Sequence, residues 1–486
     1  MGRLRIFIDR DLKTRFGPEI CWTWRTILTG IGCPWEEADH MDSQCDVAYV
    51  RDPSYARNAR VVIRMDPNRW SAGTTHRFQK VEERQGFPCL VLEGEDTETD
   101  VHSSSDGRFI FNKDIVFDVF WIVTGQAEKV LPRDRHGFFD ITESPSYRNQ
   151  VMRDALASRI SAQLEKCLEG PACPEKLPRW PLGKKASVAL THDVDYPVAK
   201  RFIEPFRLWA MDGFKGFRSG LLVLAGKKTY WNFARWMELE KSYGFKSAFY
   251  FTSRKGSLVQ YALGRPDPFY DVRDKRYRQL FSELSAEGFE VGLHASYHAY
   301  KNSQTLSRER EILREASGQE VAGNRHHYWH LDPSDPECTL LLHEMAGFKY
   351  DTSLCHDRYL GFRRGFSWPF FPLEQKQRKE LKTLQIPTAW MDDHLFGHAK
   401  ANPGDWLAQL SALFAVTLHQ GGCFAVDVHD YCFDEEVFPG RQKIYRWLLD
   451  RLTSSGEFWV AMPGEIADHW IKRYQTITGN SLGLTL

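Results

Sequence analysis

The sequence predicts an α/β protein in two parts, a smaller α/β domain followed by a distorted (β/α)7-type barrel. Three observations carry that expectation. A strand-then-helix rhythm sets in after residue 187, the pattern of a parallel sheet wrapped by helices. Seven strand candidates spread over roughly 300 residues suit a closed or nearly closed barrel. A stretch holding four prolines, EGPACPEKLPRWPLGKK from residue 169, separates this region from what precedes it.

Ahead of that boundary, short apolar runs at 4–9 (LRIFID), 46–51 (DVAYVR), 60–66 (RVVIRMD) and 88–93 (PCLVLE) read as strands. They alternate with helical patterns near 18–30, 112–125 and 147–168. The acidic, polar stretch 93–108 reads as a solvated loop rather than a metal site. Behind the boundary the strand candidates are 187–191, 247–252, 290–293, 348–350, 383–386, 423–428 and 458–461. Helical patterns intervene at 229–244, 273–287, 307–317, 336–346, 404–419, 440–455 and 463–475. The expected division is an N-terminal domain over 1–170, a linker over 171–186, the barrel over 187–475 and a tail over 476–486.

Composition narrows the function. The 64 Lys+Arg and 64 Asp+Glu cancel to a formal charge of zero, which argues against a nucleic-acid coat or a polybasic membrane anchor. Aromatic residues make up 14% of the chain, enough to line a sugar cleft, although core packing is their commoner use. The ten cysteines form no CxxC pair, so free thiols in a reducing compartment are expected. The N-terminus, MGRLRIFIDRDLKTRFG, puts charge where a cleavable signal needs an apolar run. No stretch approaches 18 apolar residues. The expectation is a cytoplasmic protein with no transmembrane segment and no nucleic-acid partner.

Three features follow strand candidates, where a barrel gathers its chemistry. SVAL runs into Thr191-His192-Asp193-Val194-Asp195; carboxylates at i and i+2 on a strand share a face, and such a pair in low dielectric needs a cation or a raised pKa. A solvated Asp-rich turn is the plainer alternative. EVGL runs into His294 and His298, whose i, i+4 spacing on a helical turn would let two imidazoles reach one divalent ion. Spacing alone does not choose, because 17 histidines give about 0.6 such pairs by chance and the chain has His326/His330 and His394/His398 as well. Context favours the first pair; the third competes because Asp392 and Asp393 adjoin it. Finally, CFAVDV runs into His429, placed to act as a general acid or base.

Taken in order, THDVD (191–195), GLHASYH (292–298), GNRHHYW (323–329), FKYDTSL (348–354) and VDVHDY (426–431) resemble the five motifs of the polysaccharide deacetylase family, which carries the NodB homology domain and belongs with carbohydrate esterase family four. The stretches GFRRGFSWPFFPL (361–373) and LQIPTAWMDDHLF (384–396) resemble a subgroup with an extra N-terminal domain linked to surface-polysaccharide biosynthesis. The resemblance covers about 187–465 and implies a role for each matching residue. Asp193 becomes the catalytic base, and Asp195, His294 and His298 become ligands of a divalent metal, Zn2+ first. Arg325 pairs with the base, and His429 is the general acid. Asp351 is the match to the fourth-motif acid, with Asp392 the alternative. Tyr297, Tyr328 and Trp329, interleaved with these motifs, become substrate-facing aromatics for a carbohydrate.

The implied activity is metal-dependent removal of an N-acetyl group from an amino sugar. Two departures bear on it. The family commonly has Leu two residues before the fifth-motif His, forming an apolar acetyl pocket, whereas this chain has Asp427. Asp351 is followed by Thr352, Ser353 and Leu354 in place of the usual second acid and aromatic. Two other readings stay open: a carbon-nitrogen hydrolase of the same superfamily acting on a cyclic imide or ureide, and a non-catalytic glycan-binding or scaffold protein.

Overall fold

The computed structural model describes residues 2–479 except 42–44, 73–75, 96–100, 104–106, 135–136, 171–172, 264–265 and 398–403. His398, part of the third histidine pair, lies outside the described residues, as do most of the expected C-terminal tail and parts of the expected polar loop.

The N-terminal region builds a six-stranded sheet from β1 (Leu4–Ile8), β2 (Trp35–Ala38), β3 (Val47–Val50), β4 (Val61–Arg64), β7 (Val101–Ser103) and β8 (Phe109–Phe111), in the order β2-β1-β3-β4-β8-β7. Only the β7–β8 pair is antiparallel. A separate antiparallel hairpin joins β5 (Phe78–Arg84) and β6 (Phe87–Leu92), so the expected strand at 88–93 pairs outside the main sheet. The helix Arg10–Ile31 carries the buried Trp22 and Trp24, and its Trp22 indole donates to the Phe371 carbonyl at 2.8 Å. Arg473, near the chain's other end, donates to the Thr29 and Gly30 carbonyls. The N-terminal region and the barrel thus share one continuous apolar core.

The barrel is parallel throughout. Its strands are β9 (Ala186–Val194), β10 (Ala248–Phe251), β11 (Glu290–Ala295), β12 (Gly323–His326), β13 (Tyr350–Asp351), β16 (Leu384–Gln385), β17 (Thr388–Met391) and β18 (Cys423–Asp427), with a small antiparallel ribbon of β14 (Leu373–Glu374) and β15 (Lys379–Glu380) set apart. The order is β16-β13-β12-β11-β10-β9-β18-β17. Its two ends, β16 and β17, are one stretch of chain interrupted at Pro387. The Ile386 N–H bonds to Asp351 on one side, and the Pro387 carbonyl accepts from Ala425 on the other. The curled sheet therefore comes round on itself, with seven strand positions, as the strand-helix rhythm predicted.

Two sequence assignments change. β12 was absent from the expected strands, and β19 (Phe458–Val460) pairs only with β9. β12 reads GNRH, with no β-branched or aromatic residue, yet all four residues are buried. Its place is set by packing: Gly292 and Gly323 lie against the rings of Tyr250 and Tyr350, leaving no room for a Cβ. The two phenols meet at 3.1 Å, and Tyr350 donates onward to Glu290 at 2.7 Å, so the polar groups sealed inside the barrel are paired.

Candidate active site

The strands' C-terminal ends open into one cavity of about 860 Å³. The chain alternates across β9, so Asp193 and Asp195 face this cavity while His192 points the other way. His192 is spent on structure, held between Glu240 at 2.7 Å and the Val428 carbonyl at 2.8 Å.

Asp193 stands beside two partners. Its Oδ1 accepts from Arg325 Nη1 at 2.9 Å, and its backbone N–H donates to Asp427 Oδ1 at 3.2 Å. Arg325 is fully buried, fixed by Thr352 through its Nε at 2.9 Å and stacked over the rings of Tyr250 and Trp329. The same Nη1 also lies 3.2 Å from Asp427. One guanidinium thus serves two carboxyl groups. Burial, with Asp193 alongside, pushes the Asp427 carboxyl well above the usual range. Asp427 Oδ2 is buried, has no hydrogen-bond partner among the described residues, and belongs to a residue lining the cavity.

Asp195 gathers a different set. Its Oδ1 lies 3.4 Å from His294 Nε2, and its Oδ2 lies 3.4 Å from His327 Nε2. The three residues are buried, and their ligand atoms all fall within 4.8 Å of one another. Burial raises the Asp195 carboxyl, but the imidazoles of His327 and His294 outweigh it and hold it well below its ordinary value. His327 is pulled down by burial and pushed up more strongly by Asp195 and Asp267, to about 9. His294 Nδ1 is engaged with the Arg325 carbonyl at 3.0 Å, which makes Nδ1 the protonated nitrogen and turns the Nε2 lone pair toward the cluster.

These residues fit a divalent ion. Two ligands about 2.1 Å from one ion at a tetrahedral angle lie about 3.4 Å apart, which is the spacing of Asp195 Oδ1 from His294 and of Asp195 Oδ2 from His327. One carboxylate and two imidazoles form a donor set that suits zinc and leaves positions open.

His298 does not join them. The i, i+4 argument needs a continuous α-helix, but His294 ends a strand and the chain leaves it through a turn before the short 3-10 segment Ala299–Lys301. His298 sits exposed at the start of that segment. His327, from the doublet after β12, supplies the second imidazole instead. Its neighbour His326 faces away and pairs with His343 at 2.8 Å, so the doublet divides between core and site. In the third pair, both nitrogens of His394 bond to backbone, at Met391 N and the His356 carbonyl.

His429 lines the same cavity. Its Nε2 lies 3.7 Å from Asp195, and its Nδ1 bonds to Asp392 at 2.8 Å. Burial lowers this imidazole, while Asp392 and Asp427 outweigh burial and hold it well above its ordinary value. Asp392 is tied in turn to Arg441 at 3.0 Å. Asp351, the expected partner, is elsewhere: it accepts from Asn324 at 2.9 Å and Ser353 at 2.7 Å, and it braces β12 against β13. Asp392 therefore takes the position assigned to Asp351. If His429 must carry a proton to work, Asp392→Asn should move the alkaline limb of the kcat/KM profile to lower pH by about one unit or more. The sign follows from losing the charge that raises the imidazole; a pH profile with an unmoved alkaline limb counts against the pairing.

Tyr297, Tyr328 and Trp329 all line the cavity. Tyr328 and Trp329 both adopt left-handed backbone, with φ of 58° and 54°, which bulky residues occupy at a cost of about 1–3 kcal/mol each. The turn turns Tyr328 outward, 38% exposed, while Trp329 is buried on Arg325 and donates to the Met391 sulfur. One wall comes from the N-terminal region, where Phe138 packs with Trp329, Cys355 and Met391.

No protein-family model matches the chain, and no curated protein matches its sequence. Among solved structures it is similar to a putative polysaccharide deacetylase from Mycobacterium smegmatis, at 19% identity over 63% of this chain and 96% of that one, with a TM-score of 0.40. It is also similar to a probable polysaccharide deacetylase from Pseudomonas aeruginosa PAO1, at 16% identity over 63% and 97% with a TM-score of 0.42. A third is Puue allantoinase, at 15% identity over 63% and 96% with a TM-score of 0.42.

Proposed function

We propose that the protein is a divalent-metal-dependent hydrolase that removes the N-acetyl group from an amino sugar of a polysaccharide or its precursor. One observation carries this reading. Asp193, tied to Arg325, and His429, tied to Asp392, each stand 3.7 Å from a different member of the Asp195, His294 and His327 cluster, inside one cavity. Binding alone needs neither group, so the arrangement favours turnover over a scaffold.

A Zn2+ or similar ion held by the cluster would supply a Lewis acid for water and the substrate carbonyl. Asp193 accepts the proton of the attacking water, and Arg325 holds that carboxylate aimed. The proton removed from water leaves Asp193 an acid; a second proton, from His429, goes to the departing amine nitrogen. Asp392 orients the imidazole by accepting from Nδ1 and leaves Nε2–H directed into the cavity. The C–N bond breaks, giving a carboxylic acid and a free amine. Tyr297 and Tyr328 offer ring faces to a sugar.

The test is acetate release from N-acetylhexosamine glycans or their nucleotide-linked precursors, before and after chelation. Release that is lost with the metal and restored by Zn2+ is expected; chelator-insensitive release, or none from any such substrate, overturns the reading.

A second reading has one specific observation in its favour. The unpartnered oxygen of Asp427 lines the cavity where an acetyl methyl would want apolar surface. A cyclic imide or ureide presents ring N–H groups that would satisfy it. Asp427→Leu should raise the rate on N-acetyl sugars relative to wild type under the first reading; under the second it should abolish ureide ring opening.

A further inference from the structure

The helical segment Glu204–Leu224 folds back on itself. The chain reverses at Gly213, whose φ is 57°, and Gly216 and Gly220 sit directly on the backbone of Leu208 and of Glu204–Pro205, where a Cβ would collide. The Phe217 ring touches both Phe206 at 6.4 Å and Trp209 at 6.2 Å. The result is a tight helical hairpin with an unburied apolar surface. Phe202 is 84% exposed, Phe214 80%, Phe206 63% and Trp209 57%. The helix Leu258–Leu263 adds Val259 and Leu263, 67% and 65% exposed. Eight of the fourteen large hydrophobic residues exposed among the described residues belong to these two segments, and Phe202 just ahead of the hairpin is a ninth, so the surface is a patch and not scatter.

The two segments lie together at the cavity. Lys200 and Lys255 both sit over the Phe269 ring, at 4.8 and 5.1 Å. Arg207 and Ala210 from the hairpin and Gln260 and Leu263 from the helix line the cavity that holds Asp193 and His429. Charge is concentrated here too. Residues 199–228 and 254–266 hold ten lysines and arginines against Glu204 and Asp212 only, in a chain whose overall charge is zero. Arg207 is paired with Glu204, Lys228 with Asp434 and Glu436, and Arg254 with Asp267. Lys215, Arg218 and Lys227 are exposed on the hairpin.

We propose that the hairpin and the adjoining helix form a peripheral docking surface for an anionic lipid bilayer, which sets the cavity at the membrane surface and presents it to a sugar carried on a lipid. Exposed aromatic and leucine side chains surrounded by lysine and arginine are the composition of helices that lie in the bilayer interface. Among the described residues no helix is long and apolar enough to cross a membrane, so the contact is superficial. The four exposed rings are not among the residues lining the cavity, so they do not serve to grip its sugar, whereas a site fed from a bilayer gains reach and orientation from them.

Flotation of the full chain with vesicles tests this. Vesicles of phosphatidylcholine mixed with phosphatidylglycerol should retain the protein about tenfold more than phosphatidylcholine alone, and high salt should release it. Replacing Phe206, Trp209 and Phe214 together with Ser should abolish retention. Leu182→Ser, a change at an equally exposed residue at the far end of β9, should not. Should the triple variant misfold, Lys215→Glu with Arg218→Glu leaves the rings in place and should cut retention on the anionic vesicles alone. Absence of wild-type binding, or undiminished binding by the variants, overturns the proposal. So does a solution dimer that the same substitutions break without any vesicle binding, which would assign the patch to a second copy of the chain. Retention is read without turnover, so its failure and that of the hydrolase reading are separable.

Discussion

Asp193→Asn should lower kcat for amide hydrolysis by about 10²–10⁴-fold, the range set by loss of a general base, with bound metal unchanged. The substitution keeps the side chain's shape, and an amide oxygen can still accept from Arg325. What disappears is the ability to take a proton. Metal content and single-turnover acetate release, measured on the same preparation, check the result. Full activity in the variant would sink the assignment of the base.

The second large effect separates two ligand sets. His327→Ala should strip the metal from the protein, weakening its affinity by more than the about 10–100-fold that loss of an outer-shell partner costs. His298→Ala should leave both metal content and activity at wild-type level, since that side chain is exposed on the turn before Ala299. Metal stoichiometry after dialysis is the measurement. The reverse pattern would restore the helical-turn spacing as the true signal.

The contrast between these two histidines shows what was legible in the sequence. Asp193 and Asp195 could be read because strand period places i and i+2 on one face, and the apolar run before them marks the strand. The barrel could be read because SVAL, EVGL and CFAV are buried strands with turn signals after them. β12 could not: Gly-Asn-Arg-His has no strand propensity, and only its partners in β11 and β13 hold it extended. Because β12 was invisible, the alternation that sends His326 to His343 and leaves His327 for Asp195 was invisible as well. Asp392 posed another difficulty. Beside His394 it resembles a metal ligand, and only His429 and Arg441, 37 and 49 residues onward, show it as a carboxylate already engaged. The charge balance misled in a similar way, since a total of zero hides a basic, aromatic hairpin whose acidic counterweight lies elsewhere in the chain.

The interrupted strand at Pro387 has a bearing on how the two halves of the site are kept in alignment. Asp193, Asp195, His294 and Arg325 hang from β9, β11 and β12, on the same unbroken run of sheet that carries β18 and β17. Asp392 follows directly from β17 and His429 from β18, and β18 pairs with β9 itself, so both stand on the same frame as Asp193. Pro387 lies at the seam where the sheet closes, between β16 and β17, and not between these residues. The closure of the barrel is thus taken up at one proline, away from the strands that carry Asp193, Asp195, His294, Arg325 and His429.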